Sequence, residues 1–176
     1  MAPLTAEQLE RLKASWRRAG APIVDHLEPG LTRDAIDAAF APYEDLEPPE
    51  ELYTWWGWHN GAAGHMLGGD REFLSLEAAL AFYEDIQPGV PSVLLPVTTD
   101  RPWFHIECLQ YSSQTGRIVG FDVGEPLEIW LPSLGELVET WIGFIEQGIW
   151  KYDATSYFQP VAMDDLPRGH PAFNVG

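Results

Sequence analysis

Five histidines, one cysteine and 27 acidic residues are the groups in this 176-residue chain that could bind a metal, attack an electrophile or move a proton. Zinc sites gather Cys and His at short spacing. Here Cys108 stands alone, and His26, His59, His65, His105 and His170 are scattered. Only His59 and His65, with Asp70, flank one short segment and could meet around an ion. A thiol nucleophile needs a base beside it. His105 and Cys108 lie at odd spacing in a strand-like run, which puts their side chains on opposite faces, so Cys108 reads as a buried, inert thiol. Paired carboxylates could serve glycoside chemistry, but among so many acids sequence position singles out no pair. The nucleophile elbow G-x-S-x-G, the zinc motif H-E-x-x-H and the EF-hand loop are absent. The glycine-rich run GAAGHMLGGD (61–70) follows a helix and has no Lys-Ser/Thr pair after it, so it reads as a long turn and not as a phosphate cradle. These residues assemble no catalytic constellation, and neither a metal nor a cofactor nor enzyme activity is expected.

The elements that position these groups are organised around Pro48–Gly61, PPEELYTWWGWHNG. Pro49 suits the first turn of a helix, where a missing N–H costs nothing. Glu50 and Glu51 then face the positive end of the helix dipole. Leu52, Trp55, Trp56 and His59 recur at helical spacing, and Asn60-Gly61 supplies a stop. So short a helix is marginal in water and needs a sheet to lie on. Its tryptophans read as core and not as a stacking platform for a ligand.

Upstream, Thr5 and Gln8 have capping-box spacing and start a helix at Ala6. Leu9, Leu12 and Trp16 form its apolar stripe, Arg11, Arg17 and Arg18 face outward, and Gly20 ends it. Thr32 caps a second helix with Ile36, Ala39 and Phe40 inward, stopped at Pro42. Downstream come a brief strand, Glu72–Leu76, and a helix, Glu77–Ile86. Four strand-like runs follow, Val93–Thr98, Trp103–Leu109, Arg117–Asp122 and Leu127–Leu131, with links too short for parallel pairing. Ser133 opens a last amphipathic helix through Leu134, Leu137, Val138, Trp141, Ile142 and Ile145, ended by Gly148. The expected class is α+β, an antiparallel sheet of about four to six strands packed by N-terminal, central and C-terminal helices. One domain is expected over residues 1–176. It has an N-terminal helix at 5–19, a core over about 32–150, and an irregular tail at 152–176 held by Tyr157, Phe158 and Phe173.

Formal net charge is −17, which argues against a phosphate-neutralising nucleic-acid surface and favours attraction of a basic partner. Glu44, Asp45, Glu47, Glu50 and Glu51 fall within one stretch that has no basic residue, a candidate steering surface. Trp58 and Trp103 are the candidate anchors if exposed. One cysteine excludes an intrachain disulfide. The start MAPLTAEQLERLK has no signal-peptide core and no apolar run is long enough for a bilayer, so the cytoplasm is the expected location.

Four segments together resemble the SUKH superfamily, which includes yeast cell-wall-synthesis regulators and many bacterial immunity proteins. They are PPEELYTWWGWHNG, REFLSLEAALAFYEDI, LLPVTTDRPWFHIECLQYSSQTGRIVGFD and LEIWLPSLGELVETWIGFIEQGIW, spanning Pro48 to Trp150. The chain departs from the family at Arg101-Pro102-Trp103 and Ile106-Glu107-Cys108, where a glycine and an Asp-rich strand are common. The resemblance implies an α+β fold and a non-catalytic, protein-binding role. In an immunity protein the partner is a toxin domain, often a basic nuclease; nucleic acid and membrane are not partners. The alternatives are a regulatory scaffold of the cell-wall-synthesis-regulator type and, from a different class, a small hydrolase, which requires a deep pocket with convergent titratable groups.

Overall fold

The computed structural model describes residues 3–44, 46–62, 65–68, 71–86, 94–100, 108–112, 116–121, 128–152 and 159–160. Helix α1 (Ala6–Ala19) starts at a full capping box between Thr5 and Gln8 and closes on Gly20 in the left-handed conformation (φ 72°). A 3-10 turn, Pro22–Asp25, leads to α2 (Arg33–Phe40), whose Thr32 Oγ accepts from the Ala35 N–H at 3.2 Å. Helix α3 (Glu50–Trp58) begins after Pro49. Strands β1 (Met66–Gly68) and β2 (Arg71–Phe73) precede α4 (Leu76–Ile86). Then come β3 (Leu94–Asp100), β4 (Cys108–Ser112), β5 (Ile118–Phe121) and β6 (Glu128–Leu131), followed by α5 (Leu134–Glu146), β7 (Trp150–Lys151) and β8 (Gln159–Pro160).

The backbones of β1 to β6 pair in sequence order, each antiparallel to the next, and β7 pairs with β8. One register line runs Leu95, Tyr111, Ile118, Leu131 across β3 to β6. The β3–β4 register shifts between Pro96 and Thr98, next to a residue with no N–H to give the ladder.

The expected class is corrected by the weight each kind of element carries. Among residues whose side chains are described, 57% are helical, and strand contributes only scattered ones such as Phe73, Leu95, Val97 and Ile118. The antiparallel sheet of about four to six strands is therefore not the layer that organises the described core; helices are. The physical reason is where the large rings and branched chains fall. Trp16, Leu9 and Leu12 of α1, Leu52, Trp55 and Trp56 of α3, and Trp141 of α5 are all fully buried. Burying each such side chain is worth roughly 1.5–3 kcal/mol, and helices with a continuous apolar face bring most of them together.

Other local expectations shift. Strand β1 lies inside the segment read as one long turn. The strand expected at Trp103–Leu109 is described only from Cys108, since residues 101–107 lie outside the described residues. So do Tyr157, Phe158 and Phe173 of the tail, although Gln159–Pro160 pairs with Trp150–Lys151.

Helices α1 and α5 pack in parallel. Gln8 Nε2 donates to the Gly135 carbonyl (3.5 Å), Arg11 pairs with Glu139 (2.7 Å) and Arg18 with Glu146 (3.0 Å), in the same order along both helices. Parallel packing sets two negative helix ends side by side. The last turn of α5 has no basic residue, so Arg18 of α1 brings the cation there. Arg11 and Arg18, read as simply facing outward, are cross-helix partners; at this exposure each pair contributes at most about 1 kcal/mol.

Candidate functional site

The acidic stretch runs from the end of α2 into the first turn of α3. Glu44, Glu47 and Glu50 are exposed, while Asp45 lies outside the described residues. Helix α2 packs against both α3 and α4. Tyr53 Oη of α3 donates to the Asp37 carboxylate of α2, and Tyr43 Oη donates to Glu84 of α4 at 2.7 Å. Both phenols are held in the neutral donor form. The bond to Glu84, more than burial, lifts Tyr43 to about 12, and the bond to Asp37 raises Tyr53. Arg33 pairs with Glu50 and lies 3.9 Å over the Tyr53 ring. Asp34, Asp37 and Glu84 thus extend the acidic surface beyond the stretch read from sequence. The signal available for α2 was helical phase, since Asp34 and Asp37 fall away from the buried Ile36 and Phe40.

Glu51 does not share that surface. It is buried, and its Oε1 accepts from the Leu4 N–H at 2.6 Å. One step further round α3 than Glu50, it ties the chain entering α1 to the start of α3. Trp58 is not a projecting anchor either. It is half-buried, its Nε1 donates to Glu10 at 2.8 Å, and its ring stacks with Trp16 (6.1 Å, 25°) and Phe73 (6.3 Å, 22°). Trp103 lies outside the described residues.

The other tryptophans form the interior. Trp55 meets Phe73 at 4.7 Å and Trp141 at 6.2 Å, and Trp56 Nε1 donates to the Leu74 carbonyl at 3.2 Å. Among the described residues Trp55 Nε1 is buried with no hydrogen-bond partner. Removing an indole N–H that bonds nothing costs less than orphaning a buried carbonyl. Trp56→Phe is therefore expected to be less stable than Trp55→Phe by about 1 kcal/mol, read from urea unfolding midpoints at equal slope.

The Asn-Gly pair does not stop α3. That helix ends at Trp58, and His59 is already extended (φ −149°, ψ 142°). Instead Asn60 Oδ1 accepts from the Leu76 N–H (2.8 Å) and Ser75 Oγ from the Ala78 N–H (3.1 Å), so both cap α4. Gly61 adopts φ 88°, and a Cβ there would sit 2.8 Å from the Ser75 nitrogen. Residues 28–31 close the other side. The Glu28 N–H donates to the Gly61 carbonyl (3.0 Å), the Asn60 N–H to the Glu28 carbonyl (3.3 Å) and the Leu31 N–H to the Trp56 carbonyl (2.8 Å).

His59 completes this seam. Its Nδ1 lies 2.7 Å from the Glu28 carbonyl, which can only accept, so Nδ1 carries the proton. Nε2 is then free to accept from the Lys13 ammonium at 2.9 Å. Burial first, and Lys13 with it, hold His59 below the ordinary histidine value, against the opposing pull of the Glu28 carbonyl and Glu10.

His59 and His65 are not brought together as ligands. His65 stacks face to face on His26 (3.5 Å, 7°), its Nδ1 donating to the Ala62 carbonyl (3.0 Å), and Asp70 lies outside the described residues. Among the described residues no three His, Cys, Asp or Glu side chains could hold a metal ion. The Cys108 backbone pairs with Thr99 and Phe121; His105 lies outside the described residues. A cleft of about 360 Å³ between α1 and α5 is lined by Ser15, Arg18, Ala19, Ile145 and Glu146. Its polar groups bond one another, with Arg18 donating to Ser15 Oγ (2.9 Å) and to Glu146 (3.0 Å).

Compared with protein-family models and with curated proteins, the chain matches none. Among the described residues no helix is long and apolar enough to cross a membrane.

Proposed function

We propose that this chain is a non-catalytic binding module whose acidic face on α2, the α2–α3 connection and α4 receives a basic protein domain. In the fuller form of this reading it is a cytoplasmic immunity protein that neutralises a toxin, as its resemblance to the SUKH superfamily suggests. One observation carries it: Asp34, Asp37, Glu44, Glu47, Glu50 and Glu84 are exposed, and no Lys or Arg occurs between Arg33 and Arg71 or between Arg71 and Asp100. Arg33, the one basic residue on α2 or α3, is already paired with Glu50. A surface of one sign steers an oppositely charged partner and sets specificity, whereas fully desolvated contacts supply most of the affinity. A nuclease toxin, with a basic cleft for its own substrate, has the complementary charge.

The test is the association rate with the toxin domain encoded by the neighbouring gene, after co-purification and a rescue assay in cells establish the pair. Glu44→Lys, Glu47→Lys and Glu50→Lys combined are expected to slow association at least about tenfold at low ionic strength, the difference shrinking as salt screens the field. Glu51 is left intact, because its carboxylate holds Leu4. An unchanged rate at low salt contradicts the assignment of this face.

A further inference from the structure

Three of the five histidines gather where residues 26–31 meet residues 59–65. His26 lies flat on His65, and His59 joins Glu28 to Lys13. The same junction carries the backbone bonds from Glu28 to Gly61, Asn60 to Glu28 and Leu31 to Trp56. The His59 contact depends on charge. A proton on His59 Nε2 removes the acceptor that Lys13 uses and sets an imidazolium 2.9 Å from an ammonium. The charged groups facing His59 are Lys13 and Glu10, both on α1. Glu10 favours the imidazolium, but its carboxylate also accepts from Trp58 Nε1. Along the chain, Asp25 and Glu28 are the acidic neighbours of His26.

We propose that this junction is an acid-sensitive latch, in which protonation of His59 in mildly acidic solution releases residues 26–31 from the end of α3 while the tryptophan core stays closed. Because the closed junction holds His59 below its ordinary value, the proton binds more readily once the junction opens. Closure is at full strength above about pH 6.5 and is lost as pH falls below it, the open fraction rising by up to about tenfold per pH unit. The core does not share this dependence, since the cluster that Leu9, Leu12, Trp55, Trp56 and Trp141 form contains no histidine or carboxylate.

Amide hydrogen exchange of the full chain at pH 7.5 and 5.0, corrected for the intrinsic rate, tests the latch. The Glu28, Leu31 and Asn60 amides are expected to lose protection by about severalfold, and those inside α5 to keep theirs. Unchanged protection at the three amides, or an equal loss throughout, overturns the proposal. In His59→Asn a side-chain amide can still donate to the Glu28 carbonyl but does not titrate, so the selective loss should vanish; its persistence also overturns the proposal. Should that variant not fold, Lys13→Met keeps His59 and removes the opposing ammonium, and the pH-dependent loss should shrink severalfold.

Discussion

Replacing Gly30 with alanine is expected to destabilise the protein by about 3 kcal/mol or more, lowering the melting temperature by roughly 10 °C. The cause is one atom. A Cβ at Gly30 would lie 1.9 Å from the Gly57 carbonyl oxygen and 2.8 Å from that of Trp58. Both obstacles are backbone on α3, so no rotamer change relieves them. The loop must lift, and with it go the bonds from Leu31 to Trp56 and from Asn60 to Glu28. The reciprocal substitution is the control. A Cβ at Gly57 meets only the Leu31 carbonyl oxygen, at 3.7 Å. Gly57 sits inside a helix, where alanine is favoured over glycine by about 1 kcal/mol, so Gly57→Ala should be neutral or stabilising. Thermal melts of the two variants distinguish a specific backbone contact from general sensitivity of the loop.

Trp55→Ala is expected to cost about 3–5 kcal/mol, a large part of the stability of an ordinary domain. Trp55 is fully buried and touches Phe73 of β2 and Trp141 of α5, so it joins three separate parts of the chain. Truncation leaves a void edged by rings that cannot collapse without moving their own backbones. Chemical denaturation should show a lower midpoint. A midpoint within about 1 kcal/mol of the unmodified protein would mean that the ring is not packing glue.

Local signals were the legible ones. The caps at Thr5, Thr32 and Ser133 involve a side chain and an N–H three residues on, and all three form. Gly20 and Gly148 take positive φ at helix ends for equally local reasons. Helical phase placed Leu52, Trp55 and Trp56 inside. What stayed hidden depends on partners far along the chain. Glu51 reads as one more member of its acidic run, because nothing nearby shows that it meets Leu4, 47 residues away. Arg11 and Glu139 are 128 residues apart. Asn60-Gly61 has the composition of a helix stop, but it serves the following helix, and only the bond from the Leu76 N–H, 16 residues on, reveals that. Strand propensity is a property of each segment alone, whereas the described core is decided by which segments carry the largest buried rings. In the candidate site, Glu44, Glu47 and Glu50 were readable as an exposed run. Glu84, joined to it through Tyr43, was not, because that bond runs from the α2–α3 connection to α4, 41 residues on.

The proposed recognition centres on the carboxylate-bearing face of α2 and its connection to α3. The most direct measurement is a hydrogen-exchange footprint of the co-purified complex against the free chain. New protection should concentrate in residues 33–50, with the interior of α5 unchanged. A footprint confined to the α1–α5 cleft around Ser15 and Glu146, or no footprint anywhere on the chain, would contradict it.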